Sequence, residues 1–169
     1  SYGMGNKKMA RTLGISDELC SDTMRKFNQK APFLKILFDN CMNTASSRGY
    51  IKTILGRRAR FDFWMPSFED QPVKTKRIAM GRYKGKPLFR AFVSKALNRL
   101  IQGSAADQAK LAMVNAYDAG FDMRLPVHDE INAMVSSEEE SKQLATIMEE
   151  AIPLKVPVVA DIDLGGTWC

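Results

Sequence analysis

His128, Asp129 and Glu130 stand side by side in the stretch MRLPVHDEINAMV, and His128 is the only histidine of the chain. A carboxylate at a turn between two strands suits a hard cation such as Mg²⁺, which takes one or two carboxylates together with substrate phosphates. Two such ions held together support phosphoryl transfer. That arrangement needs at least one more carboxylate from elsewhere in the protein. His128 can donate a hydrogen bond to a phosphate or a sugar beside the metal. The same tripeptide can also be a solvated turn with a satisfied turn histidine, and both readings stand at this point.

The tip needs arms to hold it. In the second arm Ile131, Ala133 and Val135 fall on one face and Asn132 and Met134 on the other, which is strand periodicity. Pro126 has no N–H to give to a neighbour, so the first arm is expected to have a free edge there. Residues 123–135 are therefore read as a hairpin. Upstream lies SKALNRLIQGSAADQAKLAM, residues 94–113. On a helix Ser94, Asn98 and Gln102 share one face. Asn and Gln carry both donors and acceptors. Between Lys95 and Arg99 they can read the acceptors that every Watson–Crick pair shows in the minor groove, which checks pairing without reading sequence. An amphipathic helix with a polar stripe gives the same pattern. Gly103 would let another segment approach the helix backbone closely. Near the start, Tyr2 precedes Gly3 and can stack on a base or pack in a core.

The chain has 169 residues and a net charge of +6, with 45% hydrophobic residues. That is enough for a core, so a disordered chain is excluded. No apolar run nears the roughly 20 residues that span a bilayer, and no membrane partner is expected. Cys20, Cys41 and Cys169 are odd in number and far apart, which suits neither a disulfide framework nor a zinc ribbon and fits a reducing cytoplasm. Charge is segregated. Residues 121–169 hold 3 Lys/Arg against 10 Asp/Glu, whereas residues 1–120 hold 22 against 9. Between Gln71 and Ala106 there are nine basic residues and no acidic one; Asn40 to Phe61 holds five basic residues and no acidic one. Such patches suit a polyanion, because each neutralised phosphate releases counterions. A solvated basic face is the other reading.

The elements read as follows. A short helix covers Asn6 to Leu13. A second is capped by Ser16 and stopped by Pro32. A third runs from Pro32 to about Ser47. Strands flank a turn at Gly56. Residues 62–86 look irregular, with Pro66, Pro72, Gly81 and Gly85. A long helix is expected over 87–119, closed by Gly120. The hairpin follows, then a helix from about Ser137 to Ala151, then a terminal strand over 156–164. The fold class is α+β, with helices packed on a small antiparallel sheet.

In this order YGMG…ARTLGI, LGRRAR, ALNRLIQGSAADQAKLAM, LPVHDE and VPVVADIDLGGTW resemble the carboxy-terminal part of family A DNA polymerases, the DNA polymerase I family, with phage-encoded members the most similar in impression. The resemblance covers essentially the whole chain. It implies a DNA-directed DNA polymerase acting on primer–template DNA and deoxynucleoside triphosphates with two Mg²⁺ ions. It implies that Asp129 is one of two metal-binding catalytic aspartates, that Glu130 is an accessory carboxylate, and that His128 lies against the primer terminus. Asn98 and Gln102 match positions that follow the minor groove. Tyr2 matches the tyrosine beside the nascent base pair, and Arg57 and Arg58 match a basic pair at DNA phosphates. Residues 1–50 would be the helical remainder of the fingers and 51–169 a portion of the palm. Glu130 favours DNA over RNA synthesis, since the related RNA polymerases lack it.

Two features depart from the family. Position 94 is often cationic or an imidazole and is Ser94 here, and the family often runs a few residues past the Trp. The resemblance also sets Ser1 inside motif B. The other metal-binding aspartate, the Arg and Lys that grip the triphosphate, and the thumb are then expected in an upstream polymerase segment, joined covalently or supplied as a second chain. A split or spliced product, a processed one and a fragment all stay open. The alternative to an enzyme is a nucleic-acid-binding module that kept the basic face without the chemistry.

Overall fold

The computed structural model describes residues 6–68 and 70–167, so Tyr2 lies outside the described residues. The chain divides into two compact units, one ending at Gly103 and the other beginning at Ser104. The α+β expectation holds: helices accompany three small antiparallel sheets.

The first unit opens with α1 (Asn6–Leu13), α2 (Asp17–Lys30) and α3 (Pro32–Arg48). Ser16 caps α2 by accepting from the Leu19 N–H at 3.2 Å, and Asp17 and Glu18 complement the positive end of the helix. Pro32 opens α3, where its missing N–H is one of the helix's unsatisfied donors anyway. Gly49 ends α3 at φ 79°, the left-handed conformation a glycine takes without strain. Its N–H donates to the Ala45 carbonyl at 3.0 Å.

Strands β1 (Tyr50–Lys52) and β2 (Arg58–Arg60) pair antiparallel with Ile51 opposite Ala59. Alternation turns Ile51 and Ala59 inward and Lys52, Arg58 and Arg60 outward. The core gathers Cys41, Ala45, Ile51, Phe61, Ala96 and Leu97, with Phe38, Ala59, Val93 and Leu100 packed around it. Burial pushes the Cys41 thiol pKa up, so it stays protonated and packs as a small hydrophobe.

Residues 62–86 correct the expectation of an irregular stretch. They hold β3 (Phe63–Met65), β4 (Val73–Lys74) and α4 (Lys76–Arg82), and with β5 (Phe89–Arg90) they form a sheet in the order β4-β3-β5. Strands this short leave almost no periodicity to read. The long helix also starts later than expected. After a 3₁₀ turn at Val93–Lys95 comes α5 (Ala96–Asp118). Residues 89–90 pair with β3, and Phe92 at φ 63° cannot continue a helix.

In the second unit α5 ends before Gly120 at φ 86°, and β6 (Asp122–Val127) pairs with β7 (Glu130–Met134). Helix α6 (Glu138–Glu149) is capped by Ser137, whose side chain accepts from the Glu140 N–H at 3.1 Å. Glu140 reaches back to accept from the N–H of Ser136, the residue before the cap, at 2.6 Å. The strand expected over 156–164 does not form. Among the described residues no ladder partner meets it; Val156 and Val159 stay exposed, and Ala160 donates its N–H to the Glu149 carboxylate instead. Among the described residues, no helix is long and apolar enough to cross a membrane.

Gly49 also meets Arg90. A Cβ there would lie 2.6 Å from the Arg90 guanidinium carbon, and that guanidinium donates to the Phe61 carbonyl at 2.9 Å and the Ser46 carbonyl at 3.2 Å. Gly49→Ala is therefore expected to lose about 1–2 kcal/mol of stability in urea unfolding, from left-handed strain and displaced Arg90 bonds. An unchanged midpoint would contradict the close approach.

Candidate nucleic-acid and metal site

The hairpin tip is a two-residue loop. Val127 pairs with Glu130, leaving His128 and Asp129 between the strands. A tight hairpin loop needs positive φ in its first half, a place glycine fills without strain. Here His128 takes it, at φ 56°. A non-glycine residue in that region stores strain, and such strain persists where the surroundings over-determine it. Position 128 thus gives up the residue that suits the backbone and gains an imidazole.

His128, Asp129 and Glu130 are all exposed. Glu130 accepts from the Asn132 side-chain amide at 2.9 Å, which fixes the orientation of its carboxylate. Sequence reading missed that role for Asn132; the signal was Glu-x-Asn on one face of a strand. Asp129 bonds to no described side chain, so its oxygens point from a rigid turn into solvent, open to a hard cation. Among the described residues no group of three or more His, Cys, Asp or Glu side chains comes together. The tip can supply one or two carboxylates to a metal, and further ligands would have to come from elsewhere.

The other expected site residues lie in the first unit. Asn98 and Gln102 sit one turn apart on α5, Asn98 half-buried and Gln102 exposed. Neither side-chain amide bonds to a described residue, so both keep donors and acceptors for a ligand. Ser94 does not join their stripe, because it lies in the 3₁₀ turn before α5. Arg58 is exposed on the outer face of β2, its guanidinium 4.7 Å from the Tyr50 ring centre. Stacking of this kind leaves the edge N–H groups for a phosphate.

Arg57 behaves differently from its neighbour. Its Nη2 donates to the Gly103 carbonyl at 2.8 Å, and its backbone N–H donates to Thr53 Oγ1 at 3.1 Å. The guanidinium expected at DNA phosphates is at least partly committed to the helix. Arg99 is committed likewise, donating to the Arg60 carbonyl at 2.7 Å with its guanidinium 4.5 Å from the Phe61 ring centre. Gly103 is the place where α5 is approached closely: a Cβ there would meet Thr53 Cγ2 at 2.7 Å.

Two predictions follow from these contacts. Gly103→Ala gains about 1 kcal/mol of helix propensity but is expected to be less stable by a net 1–2 kcal/mol, because the buried Thr53 must move. Thermal unfolding reads the sign. His128→Gly is expected to raise stability by about 1 kcal/mol by relieving the left-handed strain; a lower melting temperature would show that the imidazole stabilises the tip.

A model of DNA polymerase family A matches residues 1–169. The chain is 34% identical over 202 residues to a DNA-directed DNA polymerase of Pseudomonas phage M6, covering 99% of this chain and 27% of that protein. It is 32% identical over 177 residues to DNA polymerase I of Streptococcus pneumoniae, covering 99% and 18%. Among solved structures, the POL domain of Pol1 from M. smegmatis, in complex with DNA primer-template and dNTP, superposes with a TM-score of 0.68 at 30% identity, over 92% of this chain and 26% of that one. The chain thus spans about a quarter or less of the length of these relatives.

Proposed function

The chain belongs to DNA polymerase family A, and on that premise we propose that it forms the palm and part of the fingers of a DNA-directed DNA polymerase, with residues 1–50 in the fingers and 51–169 in the palm. The reaction is attack of a primer 3′-hydroxyl on the α-phosphate of a deoxynucleoside triphosphate: the new oxygen–phosphorus bond forms as the bond from the α-phosphorus to the bridging oxygen breaks, pyrophosphate leaves and the hydroxyl proton passes to solvent. The observation that carries the reading is the strained two-residue turn that presents Asp129, with no partner among the described residues, beside an oriented Glu130. Backbone strain accepted at a turn of exposed polar residues supports a role for those residues beyond closing a hairpin.

Asp129 and Glu130 would hold Mg²⁺, whose chemistry is to neutralise charge on the phosphate oxygens and to lower the pKa of a bound hydroxyl. Hard carboxylate oxygens suit that ion, and the tip leaves room for further ligands. The second aspartate is assigned to an upstream polymerase segment, covalent or separate. His128 donates to a phosphate or sugar oxygen at the primer end. Asn98 and Gln102 donate to the minor-groove acceptors common to all base pairs, so a mispair weakens the grip. Arg58 holds a backbone phosphate, and Arg57, whose guanidinium donates to the Gly103 carbonyl, is assigned the lesser share. Tyr2 is assigned to the nascent base pair on the family pattern alone.

The test is primer extension with the chain combined with its upstream polymerase segment. Asp129→Ala is expected to lower kcat by more than about 100-fold, since even groups behind a metal ligand cost 10–100-fold. Asn98→Ala and Gln102→Ala are each expected to weaken primer–template binding about 5-fold, one hydrogen bond's worth. The chain by itself is expected to be inactive. Extension by the chain alone that Asp129→Ala abolishes would refute the assignment of a ligand upstream. Undiminished function of Asp129→Ala in the combined protein would point to a non-catalytic DNA-binding module.

A further inference from the structure

The lobe built by β3, β4, α4 and β5 carries charge that the site above does not use. Lys74 lies on β4, Lys76, Arg77 and Arg82 on α4, and Lys84 and Lys86 on the turn that follows. All six are exposed, and no acidic residue occurs between Gln71 and Ala106. On the other helices basic side chains are partly neutralised in place: Arg25 and Lys26 pair with Asp22, Lys35 with Asp39, and Lys142 with Glu138. None of the six lobe cations pairs with a described carboxylate. Concentrating unpaired like charge raises the energy of a small lobe, a cost a polyanion would reverse.

The lobe is also built to hold these charges in place. Thr75, between β4 and α4, sits at φ 70°, a strained value for a β-branched residue. Its N–H donates to the Asp62 carbonyl at 3.0 Å and its carbonyl accepts from the Ala79 N–H at 3.2 Å. That junction fixes Lys74 and Lys76 on either side of it. The Lys86 N–H closes a turn on the Tyr83 carbonyl at 3.1 Å with Gly85 at φ 77°, and the Tyr83 hydroxyl donates to the Gln71 carbonyl. Lys84 and Lys86 are thus displayed on a pinned turn. The aromatic rings of the lobe already have neighbours. Trp64 has Lys76 at 5.3 Å and Arg90 at 4.5 Å, Tyr83 has Arg82 at 5.6 Å, and Phe68 leans on Phe89 at 5.3 Å. Trp64 and Tyr83, covered by these cations, offer poor platforms for stacking bases, whereas the lysines are point charges suited to phosphates.

We infer that the lobe formed by residues 62–92 is a second DNA contact that grips the phosphodiester backbone of duplex DNA without reading sequence, through Lys74, Lys76, Arg77, Arg82, Lys84 and Lys86. The inference rests on the reading of the chain as a protein that works on primer–template DNA. Its six residues are other than those assigned to the hairpin tip and to the Asn98–Gln102 stripe.

The experiment is fluorescence anisotropy of a labelled 20-bp duplex (roughly two helical turns) titrated with the chain between about 50 and 300 mM salt. Each phosphate contact contributes about 0.9 to the slope of log Kd against log salt. The triple variant Lys74→Gln, Lys76→Gln, Arg77→Gln is expected to flatten the slope by about 2–3. The double variant Lys84→Gln, Lys86→Gln, confined to an exposed turn and so harmless to folding, is expected to flatten it by about 2. Lys142→Gln, with its charge already paired, is the control and leaves the slope unchanged. Wild-type slopes in both lobe variants would overturn the inference. So would a loss seen only with a single-stranded 20-mer or with anionic lipid vesicles. Two readouts separate the two readings: the salt slopes of the lobe variants bear on the lobe alone, whereas primer extension by Asp129→Ala in the combined protein bears on the proposed reaction and not on the lobe.

Discussion

The arrangement of the first unit depends on one close approach, where the turn between β1 and β2 meets α5 at Gly103. Thr53 lies against a residue without a side chain, and Arg57 donates to that residue's carbonyl at 2.8 Å. The turn itself is drawn tight by Thr53, whose N–H donates to the Arg57 carbonyl at 2.9 Å while its hydroxyl accepts from the Arg57 N–H. A methyl group at 103 would separate these surfaces. Because they touch, the outward face of β1 and β2, with Lys52, Arg58 and Arg60, is fixed relative to Asn98 and Gln102 on the helix. The cations and side-chain amides proposed to meet DNA therefore share one support, and positioning to within about half an ångström is what such sites require.

Arginine is used in two ways in this molecule. Arg57, Arg90 and Arg99 donate to backbone carbonyls of Gly103, of Phe61 and Ser46, and of Arg60, and two of them also lie over aromatic rings. A guanidinium serves this purpose because it stays charged and presents several donors in a fixed plane. Arg58, Arg77 and Arg82 make no such bond to a described carbonyl and keep their donors for solvent or a ligand. Net charge alone does not separate the two groups; hydrogen bonding does.

Much of the local structure was legible because its causes are local. Ser16 and Pro32 bound α2, Gly120 follows the end of α5 in a left-handed conformation, and alternation marks the second hairpin arm. What escaped was set at longer range. The small sheet of β3, β4 and β5 consists of strands of two or three residues, too short for a period to register. Residues 89–90 were drawn from an expected helix into that sheet by pairing with Trp64 and Met65. The segment 156–164 has a strand's composition and no ladder, since a strand exists only when another chain segment accepts its hydrogen bonds.

By itself the sequence determined the chemistry at the tip: an imidazole and two carboxylates between apolar arms, downstream of a helix bearing Asn98 and Gln102. Those are properties of residue type and spacing, which travel with the chain. Only the tertiary structure decided which cations are available. The bonds that occupy Arg57 and Arg99 join residues 46 and 39 positions apart, and no local pattern encodes such a meeting. It also decided that His128 carries the strain of the turn, because that depends on the register in which β6 and β7 pair.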